Sequence, residues 1–218
     1  MAADPELAQL IGERIRRGRN DRGWTLDQLS DASGVSRRTV VNVEQGAPNP
    51  GIATLLRLSH ALGIGLPALV GPRGTQATKV VRSDDGAVLW QGKYGGKGIL
   101  VVGTEPPDVV ELWDWTLGPS DRHWSEAHVG GTREIIQVIE GALKVVVGSK
   151  VYCLCPGDAL TFSGDVEHSY VNHTDSFTRF SLVVFEPAEG AAHRTEMDGD
   201  TNDGTDNDSR GVLGAKHN

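Results

Sequence analysis

Cysteine is nearly absent: Cys153 and Cys155 are the only two in 218 residues. So close a pair offers no disulfide framework and suits a reducing compartment. No apolar run approaches the ~18 residues that a membrane span requires. The opening MAADPELAQLIGERIRR lacks the apolar core of a secretory signal. A soluble cytoplasmic chain is therefore expected, with no membrane partner. Basic residues are also in deficit, 21 Lys and Arg against 29 Asp and Glu, for a net charge of −8. That balance argues against an indiscriminately basic nucleic-acid binder. The deficit is uneven. Residues 1–74 hold nine basic and seven acidic side chains, residues 75–186 nine and fifteen, and residues 187–218 three and seven. The one mildly basic stretch gathers Arg14, Arg16, Arg17, Arg19, Arg22, Arg37 and Arg38 near the amino terminus.

What is present falls into zones of different period. From Leu7 to Val70 the apolar residues recur at helical spacing, which predicts five short helices over 6–22, 26–32, 37–45, 52–62 and 66–70. Thr25 and Gln28 form a capping box, Gly34 ends the second helix, and Ser36 caps the third. From Ala87 to Glu186 the period falls to two, in short runs separated by Gly, Pro or Asp, as in VVELWDWTL, REIIQVIE and FTRFSLVVFE. Such a series predicts an antiparallel sandwich or barrel. The expected fold class is α+β multidomain: a helical unit over 1–70, a linker over 71–86, a β barrel over 87–186 and a disordered acidic tail over 187–218.

The second and third helices, joined across Gly34, have the spacing of a helix-turn-helix. Val35, Val40 and Val43 would face inward, leaving Arg37, Arg38, Val41, Asn42 and Gln45 outward. Those residue types can read base edges: arginine forks onto guanine, Asn and Gln pair with adenine, and a valine methyl meets the thymine methyl. Thr25, Gln28 and Ser36 lie at helix amino ends, where backbone N–H groups favour phosphate. The run from Ile15 to Val70 closely resembles the Cro/C1-type, or xenobiotic-response-element, helix-turn-helix regulators. It keeps their G-T-ϕ-x-x-L, G-V-S and ϕ-E-x-G anchors as GWTLDQL, GVS and VEQG. Ser30 stands where that family usually has alanine, a change that can add a hydrogen bond without altering the fold.

Two stretches of the β zone resemble the cupin barrel. In the first motif, G-x5-H-x-H-x3,4-E-x6-G, His128, Glu134 and Gly141 fall in register, while Gly130 replaces the second histidine and Arg122 the leading glycine. In the second, G-x5-P-x-G-x2-H-x3-N, Gly157, His168 and Asn172 match, with Ser163 and Asp165 at the departures. Two histidines and a carboxylate can form a facial triad for Fe, Mn or Zn with open positions; the alternative is a hydrogen-bonded polar cluster. Trp113, Trp115, Trp124, Ile136 and Tyr170 are candidate walls of a ligand pocket, or ordinary core packing. Arg122, Arg133 and Arg179 could hold an anion, and Cys153 and Cys155 could bind metal or sense oxidants. His60 and His123 receive no role.

Together the resemblances imply a bacterial one-component transcription regulator and not an enzyme. Double-stranded DNA with a near-palindromic operator would be its partner, a small molecule its effector, and a homodimer its working form. The competing expectation is a mononuclear non-haem iron enzyme of the phosphonate-epoxidase kind, with a vestigial helix-turn-helix.

Overall fold

The structure is a computed structural model that describes residues 5–48, 50–71 and 78–187. The expected tail, apart from Pro187, and most of the middle of the expected linker lie outside the described residues. Five helices come first: α1 Pro5–Asp21, α2 Leu26–Ser33, α3 Arg37–Glu44, α4 Ile52–Leu62 and α5 Leu66–Val70. Ten strands follow: β1 Ala87–Gln91, β2 Lys97–Gly103, β3 Val109–Leu117, β4 Arg122–Ser125, β5 Arg133–Glu140, β6 Leu143–Val147, β7 Lys150–Leu154, β8 Ala159–Ser163, β9 His168–Val171 and β10 Thr178–Glu186. No described helix is long and apolar enough to cross a membrane.

Local chemistry sets the helix ends. Thr25 accepts from the Gln28 backbone N–H while the Gln28 side chain accepts from the Thr25 N–H, so the capping box is complete. Gly34 takes the left-handed conformation at φ 64°, and Ser36 accepts from the Thr39 N–H to start α3. The Ser30 hydroxyl donates to the Val35 carbonyl at 2.7 Å, tying the two helices across their turn.

The position of α3 is fixed from α1. Arg19 holds Glu44 through two contacts, Nε to Oε1 at 2.6 Å and Nη2 to Oε2 at 2.9 Å, and its Nη1 donates to the Trp24 carbonyl. About two turns earlier in α1, Gly12 lies so close to α3 that a Cβ there would sit 2.4 Å from the Val43 carbonyl oxygen. Arg14 likewise spends its guanidinium on the Ala68 carbonyl. Two of the basic cluster's arginines are therefore structural.

The strands form two antiparallel sheets, β1-β2-β3-β10-β5-β8 and β4-β9-β6-β7. Alternation along each strand turns one face inward: Glu111, Trp113 and Trp115 on β3, Glu134, Ile136 and Val138 on β5, and Phe180, Leu182 and Val184 on β10 are all buried. β4 is a four-residue strand absent from the expected set. Asp121, just before it, accepts from the Tyr94, Gly96 and Gly118 N–H groups and so locks the β1–β2 turn to the end of β3. Asn172, one of the motif matches, is equally structural: its amide donates to the Leu117, Gly118 and Ser176 carbonyls.

The apolar cores of helices and barrel join in one cluster. At the junction Gly65 packs on Val109, and Gly103 packs on Pro67.

Gly12→Ala should lower stability by about 1–2 kcal/mol, although helix propensity alone would raise it, because the added methyl meets a carbonyl. Chemical denaturation of the full chain measures the sign.

Candidate functional site

Two sites take shape, one on each unit. On the helical unit, Arg37, Arg38, Asn42 and Gln45 are exposed and Val41 is half-buried, while Val35, Val40 and Val43 are buried beneath them. Thr25, Gln28 and Ser36 are exposed at the amino ends of α2 and α3. Their oxygens are already used as caps, so each end retains fewer free N–H groups than an uncapped helix. Arg37 pairs with Asp27 at 2.8 Å. No ion pair holds Arg38 among the described residues.

In the barrel, Glu134 points inward from β5 and His168 from the start of β9. His128 comes from the loop between β4 and β5, not from a strand. That loop is pinned by His128 N–H to Gly164 O at 3.0 Å and Gly164 N–H to Thr132 O at 2.9 Å. One ligand atom from each of the three residues lies within 4.8 Å of the others. Both His128 Nε2 and His168 Nε2 stand 3.1 Å from Glu134 Oε1. The distances suit hydrogen bonds but the directions do not, and neither Glu134 Oε1 nor His168 Nε2 has a hydrogen-bond partner. His168 Nδ1 lies 2.8 Å from the Val166 carbonyl, which takes the ring proton there and leaves a lone pair at Nε2. Tyr170 donates its hydroxyl to the other carboxylate oxygen, Glu134 Oε2.

Lone pairs so close together repel unless a proton or a cation lies between them. Burial alone would raise the Glu134 carboxyl, but the two imidazoles outweigh it and bring it down to about 2. Burial alone would lower His168; its contact with Glu134, that group's charge and the Val166 carbonyl raise it instead. The three residues thus fit a divalent metal by donor type and spacing, with His168 oriented by its outer hydrogen bond. Gly130, at the place of the missing second histidine, is exposed and supplies nothing.

Glu134 Oε1 and His168 Nε2 are joined by Glu111 Oε1 and Trp115 Nε1 as the buried side-chain atoms without a hydrogen bond among the described residues. All four residues line one cavity of about 30 Å³. Trp113, Trp115 and Tyr170 wall it as expected. Two expected wall residues do not. Trp124 is 49% exposed, because on β4 it is His123 and Ser125 that face inward. Ile136 is fully buried in the core, paired with Leu182 and Leu160, and lies outside the lining. Arg122 and Arg133 are exposed, and Arg179 is engaged by Asp114 at 3.0 and 2.8 Å, so no arginine enters the cavity. Cys153 and Cys155 are exposed free thiols away from it.

Sequence reasoning missed His123, Glu111 and the helical wall. His123 packs tilted 4.7 Å from Trp115 and stacks 6.0 Å from Tyr170, and burial with the nearby His168 holds it down to about 4. Glu111 accepts from the Trp113 indole at 2.9 Å. Burial and then the charge of Glu186 push it up to about 8, against that hydrogen bond. The even spacing of Glu111, Trp113 and Trp115 was the available signal. Ile52 and Leu56 of α4 complete the lining.

Because Glu111 is raised when folded, the stability it contributes is present below its ordinary value and lost as pH rises through about 8. Glu111→Gln should therefore flatten the fall in melting temperature between about pH 5 and about pH 9, read by calorimetry.

Comparison with known proteins adds a second line. A helix-turn-helix family model matches residues 15–69, and a cupin domain model matches residues 113–185. The chain is 23% identical over 181 residues to the HTH-type transcriptional regulator SutR of Escherichia coli, covering 83% of this chain and 97% of SutR. Over 67 residues it is 33% identical to the uncharacterized HTH-type transcriptional regulator y4dJ of Sinorhizobium fredii, covering 31% of this chain and 87% of that protein. A crystal structure of a helix-turn-helix family transcriptional regulator from Vibrio cholerae matches with a TM-score of 0.64 at 24% identity, over 85% of this chain and 99% of that one. That last likeness speaks to the fold.

Proposed function

The chain belongs to the helix-turn-helix transcriptional regulators that carry a cupin domain, and from that premise we propose how it works: residues 1–70 read one DNA sequence, and residues 87–186 sense a small effector in the cytoplasm. The observation that carries the first half is the exposure of Arg37, Arg38, Asn42 and Gln45 in the intact chain. The barrel does not cover them, so α3 can enter a major groove with Val41 beside them. The amino ends at Thr25, Gln28 and Ser36 then meet phosphates. Arg37 must leave Asp27 to reach a base, whereas Arg38 and Asn42 need release no ion pair.

Arg38→Ala and Asn42→Ala should each cost about 1–3 kcal/mol on the right site and relax specificity there. Footprinting and genome-wide binding at moderate salt measure both effects. A protein with no preferred sequence under those conditions would not be the regulator described.

For the second half, the carrying observation is the convergence of the unpartnered Glu111, Trp115, Glu134 and His168 atoms on one cavity. His128, Glu134 and His168 would hold Fe, Mn or Zn, which supplies a Lewis-acidic centre with open positions. Trp113, Trp115 and Tyr170 would pack against the effector, and the Trp115 N–H would donate to it. Metal analysis should find one divalent ion per chain in the wild type and a loss of about tenfold or more in affinity in His168→Ala.

A homodimer is supported by the outer face of the six-stranded sheet, where Val110, Leu112, Ile135 and Phe185 are exposed around Val183. Such a continuous apolar patch favours a partner surface, and a second copy would set two α3 helices on half-sites about 34 Å apart in a near-palindromic operator. Leu112→Lys with Ile135→Lys should shift sedimentation to the monomer without unfolding the barrel. The competing reading, catalysis at iron, rests on the same open triad. Turnover assays on iron-loaded protein against His128→Ala separate the two.

A further inference from the structure

The inner cavity is built by two units. Ile52 and Leu56, one turn apart on α4, close the side that the strands leave open. The same two side chains, with His123, Ser125 and His128, also line a larger cleft of about 190 Å³ along the seam between α4 and residues 123–129. Ile52 and Leu56 thus stand over Glu134 and His168, whose side chains are 1% and 0% exposed, while His128 also borders the cleft. At the rim, Arg57 grips both carboxylate oxygens of Glu126 at 2.6 and 2.7 Å. His60 lies 3.2 Å from each oxygen of Glu186. The inner space of about 30 Å³ has room for about one or two waters, too little for an organic molecule beside Glu134 and His168 while α4 is in place.

We propose that α4 is the lid of the barrel site: a ligand larger than water reaches Glu134 and His168 only when α4 lifts off, so an occupied site and a docked DNA-binding unit exclude each other. This rests on the reading of the barrel as the sensor. Its force comes from the other face of α4, where Leu55, Leu58 and Leu62 are buried in the helical core. Those contacts oblige the helical unit to move with the lid, and α3 with it. The ligand then has different affinities for the docked and undocked arrangements, which is what coupling between two sites requires. The latch at the rim is weak by design of its setting, since the Arg57 and Glu126 side chains are 43% and 44% exposed.

Diethyl pyrocarbonate is too large for the closed cavity and acylates accessible imidazole nitrogens, so peptide mass spectrometry after its use reads the lid directly. The protein is the full chain with Cys153→Ser and Cys155→Ser, carrying Arg57→Cys and Glu126→Cys joined by a short bismaleimide. Bridging should slow modification of His168 by about tenfold or more, while the exposed His173 reacts unchanged. Leu56→Ala without the bridge should speed modification of His168, with circular dichroism checking that the chain stays folded. Equal rates at His168 with and without the bridge would overturn the lid. A parallel arm adds Zn(II) to the unbridged protein: failure to protect His128 and His168 counts against the metal reading alone and leaves the bridge comparison standing.

Discussion

Helix α4 buries two faces at once, and the arrangement of the whole molecule depends on that. One face, through Leu55, Leu58 and Leu62, belongs to the core of the helical unit. The other, through Ile52, Leu56 and His60, lies against the barrel mouth. A helix hydrophobic on one stripe alone would leave the two units joined only where Gly65 meets Val109 and Pro67 meets Gly103. With two stripes, the position of the DNA-reading surface is tied to the barrel wall nearest the triad.

The barrel contributes a second constraint, which is electrostatic. Glu134 is buried between two imidazoles, with each Nε2 3.1 Å from its Oε1, and a buried group of this kind persists only if something compensates it. Part of the compensation is internal, in the Tyr170 hydroxyl on Glu134 and the Val166 carbonyl on His168. The rest must come from a proton or a bound ion. Glu111 and Trp115 extend the same theme, since each keeps a polar atom without a partner in an otherwise aromatic chamber. Their polar atoms converge on one cavity that a plain apolar core would not contain.

Much of this was legible in the chain as text. The capping box at Thr25 and Gln28, the left-handed Gly34 and the helical periods are local features, and local features survive folding unchanged. Strand parity correctly set Trp113 and Trp115 inward and Arg133 outward. The cupin-like spacing of His128, Glu134 and His168 anticipated their convergence. Other features were hidden for physical reasons. β4 is too short to show a period, so its alternation, with His123 and Ser125 inward and Trp124 out on the rim of the larger cleft, was not readable. Ile136 has the right parity but sits deeper than the cavity, and parity says nothing about depth. Arg14, Arg19 and Arg179 read as free charge until their partners, distant in sequence, came into view.

The sequence by itself determined which residues cap, which turn and which share a face, because those follow from backbone periods and from side chains within a few positions of one another. Only the tertiary structure decided which faces meet: α4 against the barrel mouth, α1 against α3 at Gly12, and His128, Glu134 and His168, drawn from a loop and two strands, around one point. Meetings of that kind depend on the packing of surfaces far apart along the chain, and no local pattern records how closely those surfaces approach.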